Sequence, residues 1–169
     1  PIYRARRLRP KWDAPYLKAG YAHLRLGEPA QAIEQFTKAL RLTPHADAAQ
    51  LGIAEAHEAQ GQFPAAVAVY DEILKANPKH MIALNNLAFL LAEHRLDGER
   101  AIASAERGMK EYPQSLKLKD TLGWAYYRAG RVADAAKVLG EASKAAPDNI
   151  TIRVHLNEVL RAAAATGSP

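Results

Sequence analysis

The side chains that could carry chemistry are few and scattered in this sequence. Six histidines are present, but their spacing fits no metal site, and no HExxH motif occurs. Glu55 and Glu58 would share one face of a helix, yet no nucleophile or second acid follows at a predictable distance. Cysteine is absent, which excludes disulfides, thiolate ligands and cysteine nucleophiles. With no phosphate-binding glycine loop and no GxSxG motif either, we predict no catalytic residue, no bound metal and no cofactor.

The charge is concentrated at the start of the chain. The net charge is +5, and five cations without any acid occupy residues 1–11. The remainder is neutral overall, so we interpret the basic segment as a solvated helix face rather than a nucleic-acid or lipid site. At 49% hydrophobic and 24% charged residues, the composition is that of a folded protein. No run of about 18 apolar residues occurs, which predicts no transmembrane segment.

The elements that would have to position any site are revealed by an internal repeat. Prolines recur at intervals of 34 or 35 residues: Pro10, Pro44, Pro78, Pro113 and Pro147. Twelve residues before the last four of them lie alanines: Ala32, Ala66, Ala101 and Ala135. Four residues after the alanines come Phe36, Tyr70, Ala105 and Leu139. A fixed period of this length predicts a solenoid of helical repeats.

The repeat resembles the tetratricopeptide family. The fourth repeat carries the family pattern most fully, in Leu122, Gly123, Tyr126, Ala135, Leu139, Ala142 and Pro147. The resemblance implies an all-α, right-handed solenoid of antiparallel helix-turn-helix repeats, with about ten helices in this chain. Gly27, Gly61 and Gly130 would end first helices in a left-handed conformation. The third repeat has one extra residue near Arg95 to Gly98, which we expect in the turn.

This register gives the domain organisation. Residues 1–12 would be the tail of a preceding repeat, because the chain begins at Pro1 and is expected to be part of a longer protein. Four repeats would follow, at 13–46, 47–80, 81–115 and 116–149. Residues 150–164 would form a capping helix, with Ile152, Leu156, Val159 and Leu160 on one apolar stripe. Residues 165–169 would fray.

By the same resemblance, the first helix of each repeat lines a concave groove that binds a peptide or helix of another protein. The expected partner-binding residues are Lys18, Tyr21, Arg25, Glu55, Glu58, Asn85, Asn86, Phe89, Lys117, Trp124, Tyr127 and Arg128. For Trp124 and Tyr127 the alternative is packing against the next helix. His23 and His57 occupy equivalent positions, where we expect packing between helices rather than a pH sensor.

The basic carboxylate clamp known in this family is not reproduced. Asn86 and Lys117 fit the clamp when it is placed on repeats two to four. Leu51, Glu55 and Thr121 do not fit, and Glu55 would repel a carboxylate. We therefore do not expect a receptor for acidic chaperone tails.

Three functions remain open from the sequence. The stretches 85–93 and 121–127 resemble bacterial tetratricopeptide arrays, which favours a non-catalytic interaction scaffold within a larger bacterial assembly. A structural array that joins domains, or self-associates through its N-terminal edge near Trp12 and Tyr16, is the alternative. An RNA-binding repeat is disfavoured by the neutral body, so no nucleic-acid partner is predicted. The location is left open between the cell envelope or periplasm and the cytoplasm.

Overall fold

Every regular element in the part of the chain that the structure describes is an α-helix. The computed structural model describes residues 13–166. Within that range the helices are α1 (Ala14–Arg25), α2 (Pro29–Leu42), α3 (Asp47–Ala59), α4 (Phe63–Ala76), α5 (Met81–Glu93), α6 (Gly98–Glu111), α7 (Leu116–Arg128), α8 (Val132–Ala145) and α9 (Ile150–Thr166). One helix pair falls within each of the four repeats expected from the sequence. The expected tail at residues 1–12 lies outside the described residues.

The helices fall into two compact units that divide between Ala76 and Asn77. The first contains the hairpins α1–α2 and α3–α4, and the second contains α5–α6, α7–α8 and the final helix α9. Inside each unit, every helix packs on the next one along the chain. The aligned alanines Ala32, Ala66, Ala101 and Ala135 are all fully buried, as close packing of helix backbones requires.

The packing of the first unit depends on Phe36 of α2. Its side chain is fully buried and lies against Gly20 of α1 and Gly52 of α3. A Cβ atom added to Gly20 would lie 2.5 Å from the Cε1 atom of the ring, and one added to Gly52 would overlap the other side of it. The two glycines therefore leave the space that the ring occupies, and α1, α2 and α3 pack around one aromatic side chain.

The second unit uses leucines in the same way. Leu139 of α8 fills the space left by Gly123 of α7, where an added Cβ would lie 2.5 Å from the leucine Cγ. Leu118 of α7 fills the space beside Gly108 of α6, where the corresponding distance to its Cδ2 is 2.6 Å. Both leucines are fully buried.

The turns inside the hairpins share one hydrogen-bonded geometry. At Gly27, the glycine N–H donates to Leu24 and the next N–H, of Glu28, donates to the carbonyl of His23. This 6→1 and 5→2 pair is the Schellman motif, which needs a left-handed residue after the helix. Gly27, Gly61 and Gly130 have φ of 74°, 70° and 81°, and the same two bonds recur at Gly61 and Gly130.

The two residues that flank each Schellman turn differ in chemistry between repeats. His23 Nδ1 lies 2.7 Å from a Glu28 carboxylate oxygen, and His57 Nδ1 lies 2.8 Å from the Gln62 amide oxygen. In the last hairpin, the Arg131 guanidinium lies 4.4 Å from the centroid of the Tyr126 ring. The two histidines thus bond across the turn to the residue five positions ahead.

The turn of the third hairpin contains the extra residue. It spans residues 94–97, whereas the other three turns have three residues, and both helices continue without interruption. Arg95 takes the left-handed position with φ of 51°, and the N–H of Leu96 closes the turn on Leu91. The Asp97 side chain then caps α6 by accepting from the Arg100 N–H at 2.9 Å. The expected insertion in the turn is confirmed.

The final helix buries only part of its predicted stripe. Ile152 and Val159 are buried against the preceding helices, whereas Leu160 is 49% exposed. The expectation for Leu160 was wrong, because its neighbour Val159 takes the position that faces the unit. The helix also continues to Thr166, past the expected end at residue 164.

The contact between Gly52 and Phe36 yields a test in which the same change, glycine to alanine, should have opposite effects on stability at two positions. Alanine is favoured over glycine in a helix by about 1 kcal/mol. Overpacking a filled core costs about 1–3 kcal/mol. Because Phe36 is confined from both sides, we expect Gly52→Ala to lower the melting temperature despite its higher helix propensity. Gly140→Ala, where nothing lies within 4 Å of the added Cβ, should raise it. Thermal melting followed by circular dichroism would contradict the packing role of Gly52 if both variants were stabilised.

The third turn yields a second test. A left-handed backbone costs a residue other than glycine about 1–2 kcal/mol. Glycine loses about 0.5–1 kcal/mol more in conformational entropy on folding. We therefore expect Arg95→Gly to raise the free energy of unfolding by up to about 1 kcal/mol, measured by urea unfolding. The reverse change in a sister turn, Gly61→Arg, should lower it. A destabilised Arg95→Gly variant would show that the arginine side chain contributes more than its backbone conformation costs.

Candidate functional site

The first helices of unit one leave a mixed polar and aromatic surface exposed. Lys18, Tyr21 and Arg25 of α1 and Glu55 of α3 are all exposed. Tyr21 is held in place, because its hydroxyl donates to the Ala48 carbonyl at 2.9 Å and its ring packs edge-on against Phe36 with centroids 5.0 Å apart. Partial burial, and secondarily the Glu55 carboxylate, raise the pKa of Tyr21. Tyr21 remains 37% exposed, so it presents an aromatic side chain that is already held by these contacts.

Glu58 differs from the other predicted residues of this unit. Its side chain is half-buried, and the Tyr70 hydroxyl of α4 donates to its carboxylate at 2.6 Å. The carboxylate therefore links α3 to α4 within the hairpin. No periodicity in the sequence indicates this bond, which joins residues twelve positions apart on two helices.

In unit two, the exposed predicted residues are Phe89 and Lys117. Phe89 of α5 is 38% exposed, and Met81 and Ile82 at the start of the same helix are exposed to a similar degree. Lys117 of α7 borders a small cavity of about 60 Å³ that Met81, Ile82, Asn85, Ser115 and Leu118 also line.

The other predicted residues of unit two that form hydrogen bonds in the packed helices are Asn85, Asn86, Trp124 and Arg128. Asn85 is buried, accepts from the Thr121 hydroxyl at 2.9 Å and donates to the Asn86 amide oxygen at 3.1 Å. One helix further, Asp120 lies 2.9 Å from the ring nitrogen of His155. The Asn85–Thr121 bond connects α5 to α7, and the Asp120–His155 pair connects α7 to α9.

Trp124 is buried rather than presented at the surface. It is 6% exposed, its Nε1 donates to the Glu93 carboxylate at 2.8 Å, and its ring stacks on His155 with centroids 4.4 Å apart. Arg128 donates to the Glu93 carbonyl at 2.6 Å, and half-buried Tyr127 packs on the indole. Trp124 therefore packs against the next helix, α9, as its alternative assignment had it, whereas the contact of Tyr127 with the indole lies within α7.

Sequence reasoning assigned no role to His155, which contacts both Asp120 and Trp124. Its pairing with Asp120 spans 35 residues, close to one repeat length, and that spacing is the signal that could have located it. Among residues 13–166, no group of three or more potential metal ligands comes together, and no helix is long and apolar enough to span a bilayer.

Tyr126 is the titratable group of unit two that the structure perturbs most clearly. Its hydroxyl donates to Glu106 of α6 at 2.7 Å. Burial, followed by this hydrogen bond and the negative charge of Glu106, raises the pKa of Tyr126 to about 12. The neutral phenol is therefore the form that the folded chain stabilises.

This shift predicts a loss of stability at high pH. Below pH 10, where the phenol is neutral in the folded and unfolded chains, the contribution of Tyr126 is fully present. As the pH rises from 10 towards 12, the unfolded chain ionises first, and the free energy of unfolding falls. We expect Tyr126→Phe to remove part of this slope, measured by urea unfolding at several pH values in that window. Equal slopes for both proteins would contradict the shift.

Comparison with known proteins resolves the family. One model of the tetratricopeptide repeat matches residues 17–80 and 57–115, and a second model of the same repeat matches residues 90–155. The chain belongs to the tetratricopeptide repeat family. Tetratricopeptide repeats generally mediate protein–protein interaction and are generally non-catalytic scaffolds, and nothing found in this chain points to catalysis.

The matches to individual relatives cover about half of this chain and a small part of each relative. The chain is 33% identical to Superkiller protein 3 of Saccharomyces cerevisiae over 69 residues, which are 41% of the chain and 5% of that protein. It is 32% identical to a repeat-containing protein of Pseudomonas aeruginosa over 86 residues, which are 51% of the chain and 14% of that protein. The chain therefore spans a small fraction of the length of these relatives.

A bacterial crystal structure supports the fold over most of the chain. A tetratricopeptide repeat protein from Parabacteroides merdae superposes with a TM-score of 0.78 at 16% identity, covering 92% of this chain and 60% of that one. The all-α fold class of stacked hairpins expected from the sequence is confirmed.

Proposed function

We propose that this chain is a non-catalytic interaction module whose first helices bind a peptide or helix of a partner protein, as part of a larger bacterial assembly. The observation that carries the proposal is the exposure of Tyr21 and Phe89. Each lies on the first helix of a hairpin, and each of these aromatic residues is more than a third exposed. Aromatic side chains contribute strongly to binding energy at protein interfaces.

The fixed position of the Tyr21 side chain also supports the proposal. Tyr21 is already hydrogen-bonded to Ala48 and packed on Phe36, so a partner would not have to immobilise it. Immobilising a flexible side chain costs about 0.5–1.5 kcal/mol of binding energy. Charged residues beside the aromatic rings, Lys18 and Arg25 in unit one and Lys117 in unit two, would select partners by their charge. Each unit offers such a surface by itself.

Self-association is the second candidate, because large apolar side chains are exposed at both ends of the described chain. Leu26 of α1 is 71% exposed, and Ile150 and Val154 of α9 are 74% and 54% exposed. Exposed apolar patches promote association. Tyr16, which was expected to lie uncovered, is half-buried against the core around Phe36, and Trp12 lies outside the described residues.

The proposal is tested by truncating the two aromatic residues. We expect Tyr21→Ala or Phe89→Ala to weaken binding of a partner, captured with the full-length protein, by about 2 kcal/mol if that ring is an anchor. Leu42→Ala, on an exposed part of the second helix α2, should leave the affinity unchanged. Binding is measured by calorimetry and folding by circular dichroism.

Two results would argue against the proposal. Unchanged affinity in both aromatic variants would place the binding site elsewhere. Sedimentation of the chain as a dimer, with monomers restored by Ile150→Asp or Leu26→Asp, would favour the self-associating array.

A further inference from the structure

Two glutamates of the first helices are half-buried and accept hydrogen bonds within the fold. Glu58 accepts a hydrogen bond from Tyr70, and Glu93 accepts one from the indole of Trp124. Glu55 is the exposed acid that remains among the predicted partner-binding residues. Among the exposed predicted residues, the cations Lys18, Arg25 and Lys117 outnumber the acid Glu55, which differs from the mixed pattern that the residue types alone suggest.

Helix α1 shows this excess most clearly. Lys18 and Arg25 are seven residues apart and lie on one face of the helix, with Tyr21 between them. Both cations are exposed, and neither forms an ion pair with any residue in the range 13–166. The α1 surface is defined here as the residues that line one open depression of about 550 Å³: Leu17, Lys18, Tyr21, Ala22, Arg25 and Leu26.

The α1 surface combines this positive charge with apolar area. Leu26 is 71% exposed, and Tyr21 contributes an ordered ring beside Ala22. A partner that matches it must bring apolar side chains to the centre and carboxylates to the two cations. Complementary charge of this kind favours encounter with the right partner and disfavours others.

We propose that the α1 surface binds an acidic amphipathic segment of a partner protein. The inference rests on the proposed function and names the chemistry of the partner. Apolar side chains of the segment would contact Tyr21, Ala22 and Leu26, and its carboxylates would pair with Lys18 and Arg25. Glu55 lies near enough to affect Tyr21 and would repel acids on that side. The acids of the segment should therefore lie over α1 and away from α3.

The basic N-terminal segment of the chain does not match this surface. Residues 1–11 carry five cations and no acid, so they would add like charge beside Lys18 and Arg25. Like charges placed together at an interface are unfavourable. Charge complementarity thus favours an acidic partner over this segment.

The test uses a displayed library of random 16-residue peptides selected on the whole chain. We expect the enriched peptides to contain more Asp and Glu than the unselected library, together with large apolar residues. The affinity of the best peptide should fall by about tenfold or more with Lys18→Glu and Arg25→Glu combined. Lys75→Glu, an exposed cation on the second helix α4, is the matched control and should have little effect. Glu55→Gln should leave the affinity equal or higher.

The outcomes separate this inference from the function on which it rests. Peptides without an excess of acids, or binding that is lost in Tyr21→Ala but kept in the double charge reversal, would overturn the acidic partner and keep the interaction module. Selected peptides that ignore both the aromatic and the charge variants would overturn both proposals, as would a selection that enriches no peptide. Concentration-dependent dimers that the double reversal abolishes would assign the surface to a second copy and overturn the acidic partner. Circular dichroism of each variant shows whether its fold is intact.

Discussion

The close approach of neighbouring helices in each unit depends on glycines that face one large buried side chain. Phe36 lies between Gly20 and Gly52, and Leu139 and Leu118 fill equivalent spaces beside Gly123 and Gly108. The energy comes from burying a large apolar group without a cavity, so both partners of a pair are required. This contact also constrains the rest of the hairpin. Both helices must be long enough to reach the contact, and the turn must be short enough to keep the two residues opposite each other.

Much of the fold could be predicted because this pairing repeats along the chain. The aligned alanines are buried, and the extra residue of the third repeat lies in its turn, as the register indicated. Leu160 was placed wrongly because Val159 and Leu160 are adjacent and point about 100° apart around the helix axis. The helical period does not show which of the two faces the unit. Which of the two is buried depends on the position of α8 beside α9, which no local pattern contains.

The candidate site was predicted less well than the fold, for a related reason. Helical phase identified Tyr21, Lys18 and Phe89 on exposed sides of first helices, but it cannot show how deeply a neighbouring helix covers a residue. Trp124 is covered by His155 from α9, and Asn85 is buried beside Thr121. Long-range partners also decide which charges remain at the surface, as the bond of Glu58 to Tyr70 illustrates.

The geometry of the turns also determines which residues can be substituted during evolution. Backbone N–H and carbonyl groups close each Schellman motif, and the flanking side chains are a histidine–glutamate, a histidine–glutamine and a tyrosine–arginine pair in three of the turns. Because backbone groups alone close the turn, no particular side-chain pair is required there. One pair can therefore replace another with little effect on the angle between the helices. The ends of the hairpins can therefore drift in sequence and acquire new surface properties, while the packed glycine positions cannot.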